Sequence, residues 1–280
     1  MVTGSARRKV RSAGNSGRKA ANSGVMSGLA RVGFVARGIM YVLIGWIALQ
    51  IAFGHSGQQA DRSGALRLVA KTPFGSVTLW VLVIGFTGMA LWRLSEAIWG
   101  AAGPDGHKAS ARLGSLARAV LYSVIAYGVL KFALGRGAPP SSDKQSQDLT
   151  ATAMSHPGGK VVVAIVGVVL IAIGVSMVYK AWKKKFLREL RLGSASPSVR
   201  QTVTRIGEVG GIARGTVFTT AGIFLVVAAA TAQPGEAKGI DSSLRVLAST
   251  PLGPWLLGLV AAGLIVFGVY SFCEARWRNV

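Results

Sequence analysis

Acidic side chains are scarce in this chain: ten Asp and Glu among 280 residues, against 32 Lys and Arg. Charged residues of both signs make up only 15%, and hydrophobic ones 51%, which excludes an ordinary soluble domain. A soluble chain with so basic a balance would point to nucleic acid. Here the bases fall in the gaps between apolar runs, so membrane topology is the better reading and no nucleic-acid partner is expected. Cys273 is the single cysteine, which excludes an intrachain disulfide. His55, His107 and His156 stand singly in polar gaps, without the spacing of a metal site. No Ser-His-Asp set, His-Glu-x-x-His run, phosphate-cradling glycine loop or carboxylate pair in a polar pocket is present. Catalytic residues, metal and cofactor are therefore all expected to be none.

What is present is apolar length. Six stretches, roughly 32–53, 76–98, 113–134, 160–182, 210–232 and 253–275, reach the ~20 residues needed to cross hydrocarbon as helix. They are too long for barrel strands and show no in/out alternation. Residues 1–28 are Arg, Lys, Ser, Gly and Ala with few large apolar side chains, and read as a basic disordered tail. Of the Lys and Arg residues, 23 fall on the side that holds both termini and nine on the other. The richer side should be cytoplasmic, making this a multi-pass protein of the cell's inner (plasma) membrane.

A nine-residue phrase appears three times: Gly33-Phe-Val-Ala-Arg37-Gly-Ile-Met-Tyr41, Gly114-Ser-Leu-Ala-Arg118-Ala-Val-Leu-Tyr122 and Gly210-Gly-Ile-Ala-Arg214-Gly-Thr-Val-Phe218. Each opens an apolar run, and each is followed by Pro-x-Gly at Pro73, Pro157 or Pro251, where proline suits a helix start. The second run of each unit then ends on Glu96, Lys180 or Glu274. Units of helix, outer loop and helix are therefore expected over 29–100, 110–185 and 203–278. Leu66 to Pro73 and Leu244 to Pro251 read as short amphipathic helices at the outer interface. The middle outer loop, with Pro139 and Pro140, reads as flexible. The fold class is all-α: six transmembrane helices as three tandem hairpins, in parallel repeats with a pseudo-threefold axis along the membrane normal.

The triple arginine phrase with its Pro-x-Gly partner resembles the bacterial membrane family known as domain of unknown function 1206, in which a two-helix unit commonly occurs three times. The resemblance spans about residues 29–278. It implies an integral membrane protein of unassigned activity and supplies no catalytic residues. The middle unit departs from the pattern at Lys180 and in its outer loop.

On a helix, the phrase places Gly, Arg and Tyr or Phe on one stripe. The adjacent stripe carries Gly38 and Gly45, Ala119 and Ala126, Gly215 and Gly222, small residues of the kind that let membrane helices approach closely. Arg37, Arg118 and Arg214 should sit a turn inside the interface, at the depth of Glu96 and Glu274. Three roles suit them: an arginine–glutamate pair within or between units, snorkelling to lipid phosphate, or an anion site. Lys180 removes a carboxylate from the middle unit, so Arg118 is expected to lack its partner. A basic spot at Arg118 and Lys180 could then meet an anionic lipid head group.

Three functions remain open. A structural or regulatory membrane protein, binding anionic lipid or a partner at its cytoplasmic face, fits best. A small-solute or ion transporter or channel along the axis of the repeats would require polar mid-membrane residues, and only hydroxyls such as Thr87, Ser123, Ser176, Thr219 and Thr220 are there. An intramembrane enzyme lacks a nucleophile or metal site.

Overall fold

Apolar length becomes helix throughout the computed structural model, which describes residues 24–54, 59–100, 106, 108–193, 195–248 and 253–279. Six long helices appear: α1 (Gly24–Ala52), α3 (Gly75–Trp99), α4 (Ala109–Ala133), α6 (Gly159–Trp182), α7 (Pro197–Thr231) and α9 (Gly253–Trp277). All six are long and apolar enough to span a bilayer. Three short helices join them pairwise at one end: α2 (Arg62–Ala70), α5 (Ser142–Met154) and α8 (Ile240–Ala248). Large apolar side chains such as Val161, Val168 and Leu259 are exposed and face lipid in a multi-pass membrane protein.

Local chemistry explains the boundaries. Asp61 caps α2 through the Ser63 and Gly64 N–H groups, and Ser141 and Ser196 cap α5 and α7. The glycine of the Pro-x-Gly element has a steric cause: a Cβ at Gly159 would stand 1.8 Å from the Ala153 carbonyl oxygen, and one at Gly75 2.4 Å from that of Val69. α3 and α6 thus each start hard against the end of the short helix before them.

Three boundaries differ from expectation. α1 begins at Gly24 rather than 29, so the expected tail shortens; residues 1–23, His55, His107 and Pro251 lie outside the described residues. α7 begins at Pro197 rather than near 210. Hydropathy falls at Arg200, Gln201, Thr204, Arg205 and Glu208, but helix propensity does not. At 1.5 Å per residue, α7 is roughly 52 Å long, and its polar start projects beyond a hydrocarbon core of about 30 Å. The middle outer segment, expected to be flexible, forms α5.

The packing order is α4–α3–α1–α9–α7–α6. The second helix of each hairpin packs on the first helix of the next: α3 on α4, α6 on α7 and, closing from last to first, α9 on α1. Within hairpins, α1 packs on α3 and α7 on α9, but α4 and α6 share no packed face. The contacts thus do not repeat three times, and the expected threefold bundle is open along the second hairpin.

Two of these interfaces use glycine in one register. On α1, a Cβ at Gly38 would stand 2.9 Å from the Gly268 carbonyl oxygen, and one at Gly45 2.8 Å from that of Ala261. On α7, a Cβ at Gly215 would stand 2.8 Å from the carbonyl oxygen of Gly174, and one at Gly222 2.8 Å from that of Gly167. Backbones touch with no side chain between, the usual means of close approach for membrane helices. The α3–α4 interface has buried Ala90, Ala119 and Ala126 instead.

Candidate functional site: the arginine layer

The equal register of the α9–α1 and α6–α7 interfaces makes their charged positions comparable. At α9–α1, buried Arg37 donates from Nε to the Ser271 hydroxyl at 3.1 Å and from its terminal nitrogen to the Glu274 carboxylate. Glu274 is 3% exposed and also accepts from Arg278, which binds Glu189 as well. The Arg37 guanidinium lies 4.8 Å from the Phe34 ring centre and 5.3 Å from that of Phe267, so cation–π contact adds to the ion pair. The first and last long helices of the chain are thereby joined.

At α6–α7, Lys180 occupies the place of Glu274 and Met177 that of Ser271. Arg214 therefore has no carboxylate at that place. Its Nε donates to the Tyr41 hydroxyl at 2.8 Å, and its guanidinium lies 5.0–5.5 Å from the ring centres of Tyr41, Phe218 and Phe267. Lys180 is exposed.

At α3–α4 the carboxylate is present but taken. Arg93 stands where Ser271 stands on α9, and its own guanidinium donates to Glu96 at 2.7 Å. Glu96 also accepts from the Ser115 hydroxyl at 3.1 Å. Arg118 is left exposed, with no hydrogen bond or ion pair among the described residues. So it is Arg93, not Lys180, that deprives Arg118 of a partner. Lys180 deprives Arg214, because α6 faces α7 and not α4. The expected spot of Arg118 beside Lys180 is not a contact, since their helices do not pack.

The three phrases thus end in three states: one arginine ion-paired, one bound to a phenol hydroxyl, one unpaired. The second phrase's Tyr122 is buried, within electrostatic reach of Arg37, Arg214 and Arg93. Arg93 Nε is the one buried side-chain nitrogen or oxygen among the described residues without a hydrogen-bond partner. Trp92 is also buried here, with Arg93 4.1 Å above its ring. On the surface of this end, Lys184, Arg200 and Arg205 line a cleft of about 560 Å³ together with Gln201 and Thr204.

The opposite end holds a network that the sequence reading missed. Asp61 accepts from the Ser142 N–H at 2.6 Å. Asp143 accepts from the Gly239 N–H at 2.7 Å and the Ser242 hydroxyl at 2.7 Å. Asp241 accepts from the Ala60 N–H at 2.6 Å. Each short-helix segment holds the next in a closed circuit, and each aspartate sits in or beside a first helical turn, where a carboxylate is favoured. Burial pushes the Asp241 carboxyl above its ordinary value, while hydrogen bonds from Arg245 and the Ala60 N–H act against it. The signal was available: three of only ten acidic residues lie at these helix starts. Their oxygens are already engaged by N–H and O–H donors, and no group of three metal-ligating side chains occurs among the described residues.

Comparison with known proteins bears on the whole chain. A family model described as Domain of Unknown Function (DUF1206) matches three times, over residues 32–100, 113–184 and 209–278. The chain is 29% identical over 252 residues to the uncharacterized protein YxxB of Bacillus subtilis (strain 168), covering 89% of this chain and 90% of that one. No solved structure matches.

Proposed function

From the premise that the chain belongs to the DUF1206 family, we propose that it is a non-catalytic structural or regulatory protein of the inner (plasma) membrane. In this reading its arginine-bearing end is cytoplasmic and engages anionic lipid head groups. The observation that carries it is the cleft of about 560 Å³ lined by Lys184, Arg200 and Arg205 at the membrane-proximal start of α7. Basic clusters at that level attract anionic lipid, and the hydroxyl of Thr204 and amide of Gln201 add polar groups to the same wall. Arg118 and Lys180, both exposed, extend the positive surface toward the bilayer. The ion-paired interior and the aspartate circuit hold the helices that present it.

The test is lipid enrichment around the full chain in vesicles of phosphatidylcholine with a minor share of phosphatidylglycerol. Phosphatidylglycerol should be enriched over the bulk ratio, and Lys184→Ala, Arg200→Ala and Arg205→Ala should each lower that enrichment by about fivefold. Equal enrichment in wild type and the triple variant overturns the reading.

A second reading, a small-solute or ion pathway, draws on the unpacked flank between α4 and α6. Against it, buried Tyr122, Arg37 and Glu274 fill one end of the bundle, and the aspartate circuit spans the other. Solute or ion flux into vesicles carrying the protein would favour it.

A further inference from the structure

We infer that the cleft between α4 and α6 is a binding site for one anionic phospholipid, whose phosphate sits between Arg118 and Arg214 with its acyl chains along the apolar flanks of the cleft. This deepens the head-group reading above and rests on it, but names a different, intramembrane site.

The first observation is a face that is bare in one helix and covered in its two counterparts. On α9, Leu264, Phe267, Ser271 and Glu274 turn inward and are all buried. The same positions on α3, namely Phe86, Met89, Arg93 and Glu96, are buried or nearly so. On α6 they are Leu170, Ile173, Met177 and Lys180, and Ile173 and Lys180 are exposed. Among the described residues α4 stands away from α6 and leaves Ile173 and Lys180 uncovered. The face that seals the interior in hairpins one and three is open to the bilayer in hairpin two.

The second observation is the charge on that opening. Arg118 lies one helical turn from Tyr122 on the same stripe of α4. Tyr122 is buried toward Arg37, Arg93 and Arg214, so this stripe faces the interior. An inward-facing arginine that is nevertheless exposed marks an interior reachable from outside. Arg214 on α7 is half-buried, bonded among the described residues to a neutral hydroxyl and ringed by aromatic faces. Lys180 stands on the other flank. The three helices around the opening, α4, α6 and α7, thus each carry one cation at this end. The carboxylates nearest them are committed elsewhere: Glu96 to Arg93 and Ser115, Glu274 to Arg37 and Arg278, and Glu208 to Lys184.

The third observation fixes the occupant. Away from the cations the cleft walls are apolar, with Leu121 on α4 and Ile173 on α6 both exposed. A free phosphate would satisfy the arginines and leave these walls bare. A phospholipid satisfies both, since arginine's planar fork suits phosphate oxygens and the walls suit acyl chains. The repeat pattern agrees: the site lies where the third carboxylate of the series is replaced by Lys180 and an external anion takes over its charge.

The experiment is native mass spectrometry of the full chain purified through mild delipidation from phosphatidylglycerol-containing vesicles. Wild type should retain one phosphatidylglycerol per chain. Arg118→Gln with Arg214→Gln should lower occupancy by roughly tenfold or more. Lys180→Glu, which restores the carboxylate seen at Glu274 and alters only an exposed position, should do the same without lowering the melting temperature. Ile173→Trp should lower occupancy by filling the cleft with no change in charge. The Lys184, Arg200 and Arg205 triple variant should keep the single tight lipid, whatever its effect on bulk enrichment, so the two sites fail separately. Three outcomes overturn the site: no retained lipid in wild type, retention unaffected by Lys180→Glu and Ile173→Trp, or displacement of the lipid by inorganic phosphate alone. Retention of a protein helix in place of lipid overturns it as well.

Discussion

Arg214 Nε donates to the Tyr41 hydroxyl at 2.8 Å, so the arginine of the third hairpin is held by the tyrosine of the first. Tyr41→Phe should therefore leave Arg214 without that acceptor and destabilise the protein by about 1.5–3 kcal/mol, as losing a hydrogen bond from a charged donor does. Thermal unfolding in detergent of Tyr41→Phe, Arg214→Ala and the double variant measures the coupling. A loss from Tyr41→Phe that persists unchanged without Arg214 refutes the bond.

Glu274 serves two guanidiniums at once. Glu274→Gln leaves Arg37 buried without a counter-charge and should cost about 3–5 kcal/mol, the usual effect of breaking a buried pair from one side. Arg37→Leu combined with Glu274→Leu removes both charges, while Arg278 keeps Glu189. That double variant should be clearly more stable than Glu274→Gln. Denaturant unfolding of both decides, and equal loss in the two would show that the charge imbalance is not the cause.

Interface glycines and lipid-facing ones should respond differently. A side chain at Gly215 has the Gly174 carbonyl 2.8 Å from its Cβ, whereas a Cβ at Gly114 meets nothing within 4 Å. Gly215→Val should destabilise by about 1–3 kcal/mol through overpacking, and Gly114→Ala should be neutral or slightly stabilising, because glycine is a poor helix former. Similar melting temperatures for the two variants would mean that α6 and α7 are not held at backbone contact.

Much of this fold was legible, and the reasons it stopped being legible are physical. Hydropathy marks where a helix must avoid water, so it found all six spans, but it could not see α7 continue back to Pro197 through polar residues that form helix equally well. The repeat put Arg37, Arg118 and Arg214 at one depth, and the small stripe of Gly38, Gly45, Gly215 and Gly222 identified surfaces of close approach. Partners are another matter. Arg37 meets Glu274 across 237 positions, a pairing set by which helix packs on which. Arg93 appears outside the repeated phrase and looks like an ordinary interfacial base, yet it takes Glu96 from Arg118. The aspartates at 61, 143 and 241 belong to polar segments in which composition identifies a loop but not which backbone N–H the carboxylate will meet.

Asp241 gives a pH test at the other end of the molecule. Burial raises its folded-state pKa above the ordinary 3.8, so the folded chain holds that proton more tightly than the unfolded one. The resulting stabilisation is present below the ordinary value and is lost as pH rises through the folded one. Asp241→Asn keeps an oxygen for the Ala60 N–H and does not titrate. The melting temperature of wild type minus that of Asp241→Asn should therefore be largest near pH 4 and shrink toward neutral pH. A difference that grows with pH would show that the pairing with Arg245 outweighs burial.

The closure of α9 on α1 also sets an order of events in the making of the protein. Chains emerge from the N-terminus, so α1 enters the membrane first and α9 last. Until α9 arrives, Arg37 has neither Ser271 nor Glu274, and the face of Gly38 and Gly45 has no backbone against it. The earliest helix carries its charge through most of synthesis with only lipid phosphate, insertion machinery or Tyr122 to meet it. A ribosome stalled before residue 253 leaves a chain with five of the six long helices and that arginine still waiting, and such chains are the ones a quality-control protease should recognise first.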